Sequence, residues 1–378
     1  MKFTCTQENL MQGLQVVSHV TGKHVNLPVL GNVLLKTDGG NLTLSATNLE
    51  LGVSTVVRGK TESEGEYTVP AKLFMDYVSL LPQGKVDLSL IDEGLSVTAE
   101  EQETVIRGLP ASEFPLIPKL TKDKPVRLNV EDVRKAISQV AFAVSASESR
   151  PELSGVACFL GGASGKDTVA LVATDSYRLA ERVFPLSGGV EAVRCIVPAR
   201  TILEIGRILQ SYKDHLGLPD DVEWAMAENQ LAITYGQTEL ISRLIEGSFP
   251  DYTQIIPETF KTRAVVDRVE LQKAVRAAAL FSRQGLYDVH LAFDPADGRV
   301  TVRSADQGTG KTSKGVSGEL TGEQNAVTVN FKYLGDGLAA ISTPKVALAL
   351  NDAMSPMMVL PEGDVKESYR YLVMPIRQ

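Results

Sequence analysis

The residues best suited by type to do chemistry are Lys311 and Thr312, which close the stretch ADQGTGKT (Ala305 to Thr312). Glycines followed by lysine and a hydroxyl are what a phosphate-cradling loop uses, because backbone N–H groups and an ammonium together neutralise a polyphosphate. Two departures count against that chemistry. Ala305 stands where the pattern needs glycine, and the next segment, SKGVSGELTGEQN, is dotted with glycine and has no helical period. A phosphate loop needs a helix to start at the lysine. The stretch therefore reads as a strand end and an enlarged hairpin.

Other chemistry is thinner. The 4 histidines are scattered and none has a metal-ligand spacing. Asp175, in ATDSYR, has no base or nucleophile at an equivalent place, and Asn48 and Asp306 stand at the matching positions of related stretches, so a turn-forming role is expected. Cys5, Cys158 and Cys195 sit in apolar, strand-like surroundings and read as core thiols. No catalytic residue, metal or cofactor is expected.

A formal charge of −8 excludes a protein that coats nucleic acid by being basic throughout. Any such binding must use a localised cationic face. The N-terminus lacks the build of a signal peptide and no run is apolar enough to span a membrane, which predicts a cytoplasmic protein. The ending YRYLVMPIRQ is apolar almost to its last residue. Pro375 interrupts any ladder there, so Met374, Pro375 and Ile376 are expected to form an exposed apolar patch of the kind that marks partner sites.

The elements that would have to position any site recur three times. VPAKLFMDYVSLL (from Val69), VPARTILEIGRIL (from Val197) and VNFKYLGDGLAAI (from Val329) lie about 130 positions apart. That period is a domain, not a solenoid repeat. Ahead of each group of strands stands an amphipathic run: TQENLMQGLQVVSHV, NVEDVRKAISQVAFAV and DRVELQKAVRAAALFS. Strands with alternating residues come next, then a second helix that proline enters at its first position in two copies, then more strands. Each copy is predicted to hold two helices and about six to eight strands. The fold class is α+β, with the helices of each copy packed on one face of antiparallel sheets. The copies are placed at residues 1–120, 121–257 and 258–378.

On that plan the helices share one surface. The first helices offer Arg134, Lys135, Lys273, Arg276 and Arg283 away from their apolar stripes; the second helices offer Lys72, Arg200, Arg207 and Lys332. Lys72, Arg200 and Lys332 are each followed four residues later by an acid (Asp76, Glu204, Asp336), a spacing that ordinary surface pairs also use. An acidic protein with one basic face binds phosphate backbones there and repels them elsewhere. Neither an aromatic stacking stripe nor a helix-turn-helix or zinc-finger pattern is present, so base reading is not expected.

Four motifs carry a resemblance: LPVLGNVLL (Leu27 to Leu35), LVATDSYRLA (Leu171 to Ala180), SFPDY (Ser248 to Tyr252) and the ending VMPIR (Val373 to Arg377). With the threefold repeat they make the chain resemble the bacterial DNA polymerase III beta subunit, the replication sliding clamps, over its whole length. The resemblance implies a DNA-clamp fold, a head-to-tail homodimer closed into a ring, helices lining the hole, and duplex DNA held without regard to sequence. It implies a processivity factor with no catalytic site of its own. Partners would be the replicative polymerase, an ATP-driven clamp loader and repair proteins.

Those partners would bind through short peptides in a pocket whose matching positions are Leu153, Thr174, Tyr177, Arg178, Leu179, Pro250, Ile255, Asn330, Tyr333, Met354, Val373, Met374, Pro375, Ile376 and Arg377. The family often has glycine and histidine where Ser176 and Tyr177 stand, and the 306–320 loop lacks the acidic character usual there. Lys23, His24 and Arg150 are further DNA contacts that the resemblance implies, and Thr104, Ile106, Ala279 and Leu280 are the implied dimer contact. Two rivals stand beside this reading: a scaffold that never meets DNA, and a nucleotide-binding enzyme using Lys311 and Thr312.

Overall fold

Side-chain alternation is what turns these segments into sheets. The strand Asn41–Thr47 and its neighbours send one set of residues inward, with Leu42, Leu44 and Ala46 at 0% exposure, as half-buried strands require. The computed structural model describes residues 1–22, 27–118, 120, 125–147, 149–161, 167–186, 192–212, 217–227, 229–363 and 368–377.

The first repeat runs β1 (Lys2–Thr6), α1 (Gln7–Val17), β2 (Asn32–Asp38), β3 (Asn41–Thr47), β4 (Leu51–Val57), β5 (Gly59–Ser63), β6 (Gly65–Pro70), α2 (Ala71–Leu80), β7 (Lys85–Ile91), β8 (Gly94–Ala99) and β9 (Gln102–Ile106). The second runs β10 (Val126–Asn129), α3 (Val130–Val140), β11 (Gly155–Leu160), β12 (Thr168–Thr174), β13 (Arg178–Pro185), β14 (Val193–Pro198), α4 (Ala199–Ser211), β15 (Asp221–Ala227), β16 (Gln230–Tyr235) and β17 (Thr238–Arg243). The third runs β18 (Thr262–Asp267), α5 (Arg268–Ala279), β19 (Asp288–Asp294), β20 (Arg299–Asp306), β21 (Gly310–Gly322), β22 (Asn325–Asn330), α6 (Phe331–Ala340), β23 (Lys345–Leu350), β24 (Met357–Glu362) and β25 (Ser368–Val373).

Two helices per repeat match the expectation, and every strand pairing is antiparallel among the described residues. The first repeat exceeds the expected strand count because one run is interrupted at Arg58 into β4 and β5; the third writes it unbroken as β21. Each first helix starts on a side-chain cap. Thr6 accepts from Asn9 N at 3.2 Å, Asn129 Oδ1 from Asp132 N at 3.2 Å, and Asp267 Oδ1 from Glu270 N at 2.8 Å. Such a cap contributes about 1 kcal/mol. The prolines stand one place earlier than expected: Pro70 is the N-cap of α2 and Pro198 the last residue of β14. A fixed φ suits that strand-to-helix corner as well.

The chain divides into two compact units, and the boundary cuts through the middle repeat. Met1–Arg134 and Arg200–Leu244 form the first unit; Lys135–Ala199 and the chain from Ile245 form the second. Sheet pairing explains the cut. In the first unit β17 of the second repeat pairs with β4 of the first, inside an eight-stranded sheet ordered β10-β15-β16-β17-β4-β3-β2-β6. In the second unit β25 of the third repeat pairs with β13 of the second, inside a twelve-stranded sheet. Backbone ladders join each half of the middle repeat to its neighbour.

The ADQGTGKT stretch is the β20–β21 hairpin, Asp306 standing opposite Gly310. A strand, not a helix, continues past Lys311, so the N–H array of a phosphate loop is not formed. Cys5 and Cys158 are buried and Cys195 is half-buried opposite Cys158 in the β11–β14 ladder. Burial, with Asp87 nearby, pushes the Cys5 thiol up to about 12. None of the helices among the described residues is long and apolar enough to cross a membrane.

Candidate nucleic-acid interface and partner pocket

In the first unit, three of the arginines expected to face outward are engaged by the fold. Arg207 on α4 donates to the carbonyls of Gln15 at 2.7 Å and Val16 at 2.6 Å, and it pairs with Glu204. Those carbonyls end α1, where no intrahelical donor remains, so a cation there also complements the helix dipole. Arg200 donates to Val20 O at 3.1 Å just beyond. Arg134 bridges Glu131 at 2.6 Å and also bonds Gln210, its side chain only 12% exposed. Lys72 on α2 is exposed and has no ion-pair partner among the described residues.

In the second unit, Lys273 bridges Glu270 at 3.4 Å and Arg150 bridges Glu152 at 3.0 Å. Arg283 does not lie on α5, which ends at Ala279; it is bridged to Asp288 at the start of β19. Lys332 sits 3.5 Å over the Tyr287 ring, and Lys135 has an interaction partner of its own. Arg276 is exposed without an ion-pair partner among the described residues, and with Lys332 it lines a groove of about 500 Å³ between α5 and α6. The four-residue pairs do not form as spaced: Glu204 goes to Arg207 and Asp336 to Arg178. Lys23 and His24 lie outside the described residues.

Of the pocket positions, Arg178, Tyr333 and Val373 come together in the second unit, with Met374 bonded to the neighbouring Tyr177. The Arg178 guanidinium bonds Asp175 Oδ2 at 3.0 Å, Asp336 Oδ2 at 2.5 Å and Phe142 O at 2.7 Å, and stacks 4.5 Å from the Tyr333 ring centroid. A fork with five donors can tie a β-turn, a helix and a carbonyl together; lysine could not. Asp175 is the turn former expected from sequence, its Oδ1 accepting from Tyr177 N and Arg178 N at 2.9 and 3.0 Å. Asn48 and Asp306 make the same turn in the other repeats. Neither the role of Phe142 nor the pairing of Asp336 with Arg178 is visible in the sequence, since both arise through long-range packing.

Leu153, Thr174, Leu179 and Val373 are buried, while Tyr177, Ile255 and Met354 are exposed apolar side chains, with Pro250 also exposed. Asn330 caps α6, accepting from Lys332 N at 2.9 Å. The tail differs from the exposed patch expected. Strand β25 ends at Val373, Met374 N donates to Tyr177 O, and the chain then crosses to β22, where Pro375 bridges Val329 and Ile376 N donates to Thr328 O. Pro375 ends one ladder without preventing a second. Met374, Pro375 and Ile376 are consequently half-buried, with Arg377 exposed beyond them.

Ser176 holds φ 76°, and Leu49 holds φ 78° at the matching turn of the first repeat. Ser176 Oγ accepts from Arg150 Nη1 at 3.2 Å. Thr104 and Ile106 lie on β9, an edge strand of the five-stranded sheet, with Ile106 buried and Val105 exposed. Ala279 ends α5, and Leu280 behind it is 75% exposed. Among the described residues no group of three or more His, Cys, Asp or Glu could hold a metal.

Models of the DNA polymerase III beta subunit match the chain in order: the N-terminal domain over residues 1–118, the central domain over 127–251 and the C-terminal domain over 253–377. A curated beta sliding clamp from Synechocystis sp. is 32% identical over 400 aligned residues, covering 100% of this chain and 99% of that protein. One from Staphylococcus aureus is 27% identical with the same coverage. The DNA polymerase III beta subunit of Thermotoga maritima superposes with a TM-score of 0.91 at 26% identity, covering 100% of this chain and 99% of that one. The Pseudomonas aeruginosa sliding clamp bound to griselimycin gives 0.91 at 29% identity with both chains fully covered. Three tandem domains of the same build, matched along the whole length, place this chain in the family of the DNA polymerase III beta subunit.

Proposed function

We propose that the protein is a DNA sliding clamp: two copies close head to tail around duplex DNA and tether the replicative polymerase. The observation that carries this is strand bookkeeping. The last strand of the second repeat pairs with β4 of the first, and the last strand of the third pairs with β13 of the second. Among the described residues, the corresponding last strand of the first repeat, β9, has an unpaired edge, and so does the Gly310–Ser317 part of β21, the counterpart of β4 and β13. One chain thus carries two junctions and the two halves of a third. A second copy in the same orientation supplies both missing halves at once, so that β9 of each copy pairs with the first half of β21 of the other, which is how a heterologous contact closes into a ring.

Six repeats then surround the duplex, the proposed repeat limits being 1–120, 121–257 and 258–378. Contact is to phosphates; of the helix cations, Lys72 and Arg276 have no ion-pair partner among the described residues. Holding by enclosure needs few of them. The protein has no catalytic site in this reading and acts in the cytoplasm. The loader, the polymerase and repair proteins dock as peptides over Tyr177, Ile255, Met354 and Met374, against the buried Leu153, Leu179 and Val373.

The test is retention on DNA of two shapes. After loading onto a nicked circle, the protein should stay bound at raised salt, and should be lost when the circle is cut, because a ring slides off free ends while phosphate contacts alone weaken with salt on either shape. Equal retention on cut and uncut DNA would refute enclosure.

A further inference from the structure

We infer that the proposed ring closes through a charge key in which Glu103 of one copy seats between Lys311 and Arg303 of the next. The inference rests on the ring reading and specifies its register. Three turns set the equivalences: the residue before each turn-forming Asn48, Asp175 and Asp306 pairs with Gly52, Leu179 and Lys311 respectively. At the first junction Gly52 faces Ile241 and Ser54 faces Glu239; at the second Leu179 faces Leu372 and Glu181 faces Arg370. The hairpin before β17 pairs Tyr235 with Thr238, and the one before β9 pairs Ala99 with Gln102, so Glu103 corresponds to Glu239 and Val105 to Ile241.

The third junction therefore sets Val105 against Lys311 and Glu103 against Ser313. Val105 is 36% exposed, whereas Ile241 and Leu372 are 5% and 0% in their completed junctions. Ile241 and Leu372 owe part of their burial to linking segments packed on them (Ile117 and Leu120; Tyr252 and Ile256), and Val105 has no partner strand on its open edge among the described residues. Across the ladder Ser313 faces Arg303, and Arg303, Ser313 and Lys311 are all exposed on the face away from the core. Strands lie about 4.8 Å apart, so Glu103 and Arg303 flank the short Ser313 side chain and can meet over it, with Lys311 at the diagonal position. Neither cation has an ion-pair partner among the described residues, and both line an open groove of about 1160 Å³. Glu103 has one neutral bond, from Ser96 Oγ at 3.1 Å. Glu100 and Glu101 add negative charge beside it.

Self-association of the full chain, measured by analytical ultracentrifugation, tests the key. Glu103→Lys, and separately Arg303→Glu with Lys311→Glu, should each raise the dissociation constant about ten-fold or more, and combining all three substitutions should restore most of the loss. The positions are exposed, and circular dichroism checks that each variant folds. Unchanged dissociation in both reversals, or no recovery in the combination, would overturn the key and leave the ring standing. A wild-type chain that stays monomeric would overturn the ring and the key together.

Discussion

Replacing Arg207 by alanine separates a structural arginine from a DNA-contacting one. The substitution removes two charge-assisted bonds to the end of α1 and strands Glu204, whose side chain is 10% exposed. An ion left unpaired in a buried site costs about 3–5 kcal/mol. Arg207 itself is 26% exposed, so water can reach part of the gap and the lower end, about 3 kcal/mol, is expected. The single tryptophan, Trp224, is 1% exposed on β15 of the same unit and reports unfolding there directly. Urea titration followed by its fluorescence should show the loss, and adding Glu204→Ala should recover part of it, since the stranded carboxylate is then gone. Retention on circular DNA below the unfolding transition should be unchanged. A normal Trp224 transition combined with weakened DNA retention would show that Arg207 serves DNA and that the helix-end account is wrong.

Removing Lys72 or Arg276 should act in the opposite way, leaving stability within about 0.5 kcal/mol. Each should reduce the slope of log K against log salt for DNA binding by about 0.9, as fluorescence anisotropy would measure. Ser176→Gly should stabilise the second unit by about 0.5–1 kcal/mol, because glycine holds φ 76° without a Cβ penalty; differential scanning calorimetry that found it destabilised would show that the bond to Arg150 outweighs the strain. His290 is pushed below its ordinary value by burial and then by Arg303. A group with a lowered folded pKa binds its proton better when unfolded, so His290 costs nothing well above pH 6.5 and costs stability as pH falls below it. Urea midpoints at pH 7.5 and 5.5 should differ less in Arg303→Gln than in the wild type.

The features legible in the sequence are those encoded within a few residues. Asp175 and Asn48 read as turn formers because an acceptor two and three residues ahead of free N–H groups needs no distant partner. The ADQGTGKT stretch reads as a hairpin because the residues after it have no helical period. Arg178 enters the pocket through the resemblance alone; its bonds to Phe142 and Asp336 join residues 36 and 158 positions away, which no local pattern encodes. The apolar stripe of α5 does not mark where the helix stops, so Arg283 reads from sequence as part of a helix face that ends a turn before it.

Periodicity and repetition, which are properties of the chain alone, determined that there are three copies of one α+β domain, each with two helices whose apolar stripes face its sheets. Only the tertiary structure decided which positive charges remain available and which strand edges remain open. A side chain's charge belongs to the sequence, but its freedom depends on whether folding brings it a carbonyl or a carboxylate. Arg207 finds Gln15 across 192 positions, whereas Arg276 meets no acid among the described residues. An edge is likewise open or closed according to which distant strand reaches it: β4 and β13 are reached by β17 and β25, whereas β9 and the first half of β21 are reached by none among the described residues.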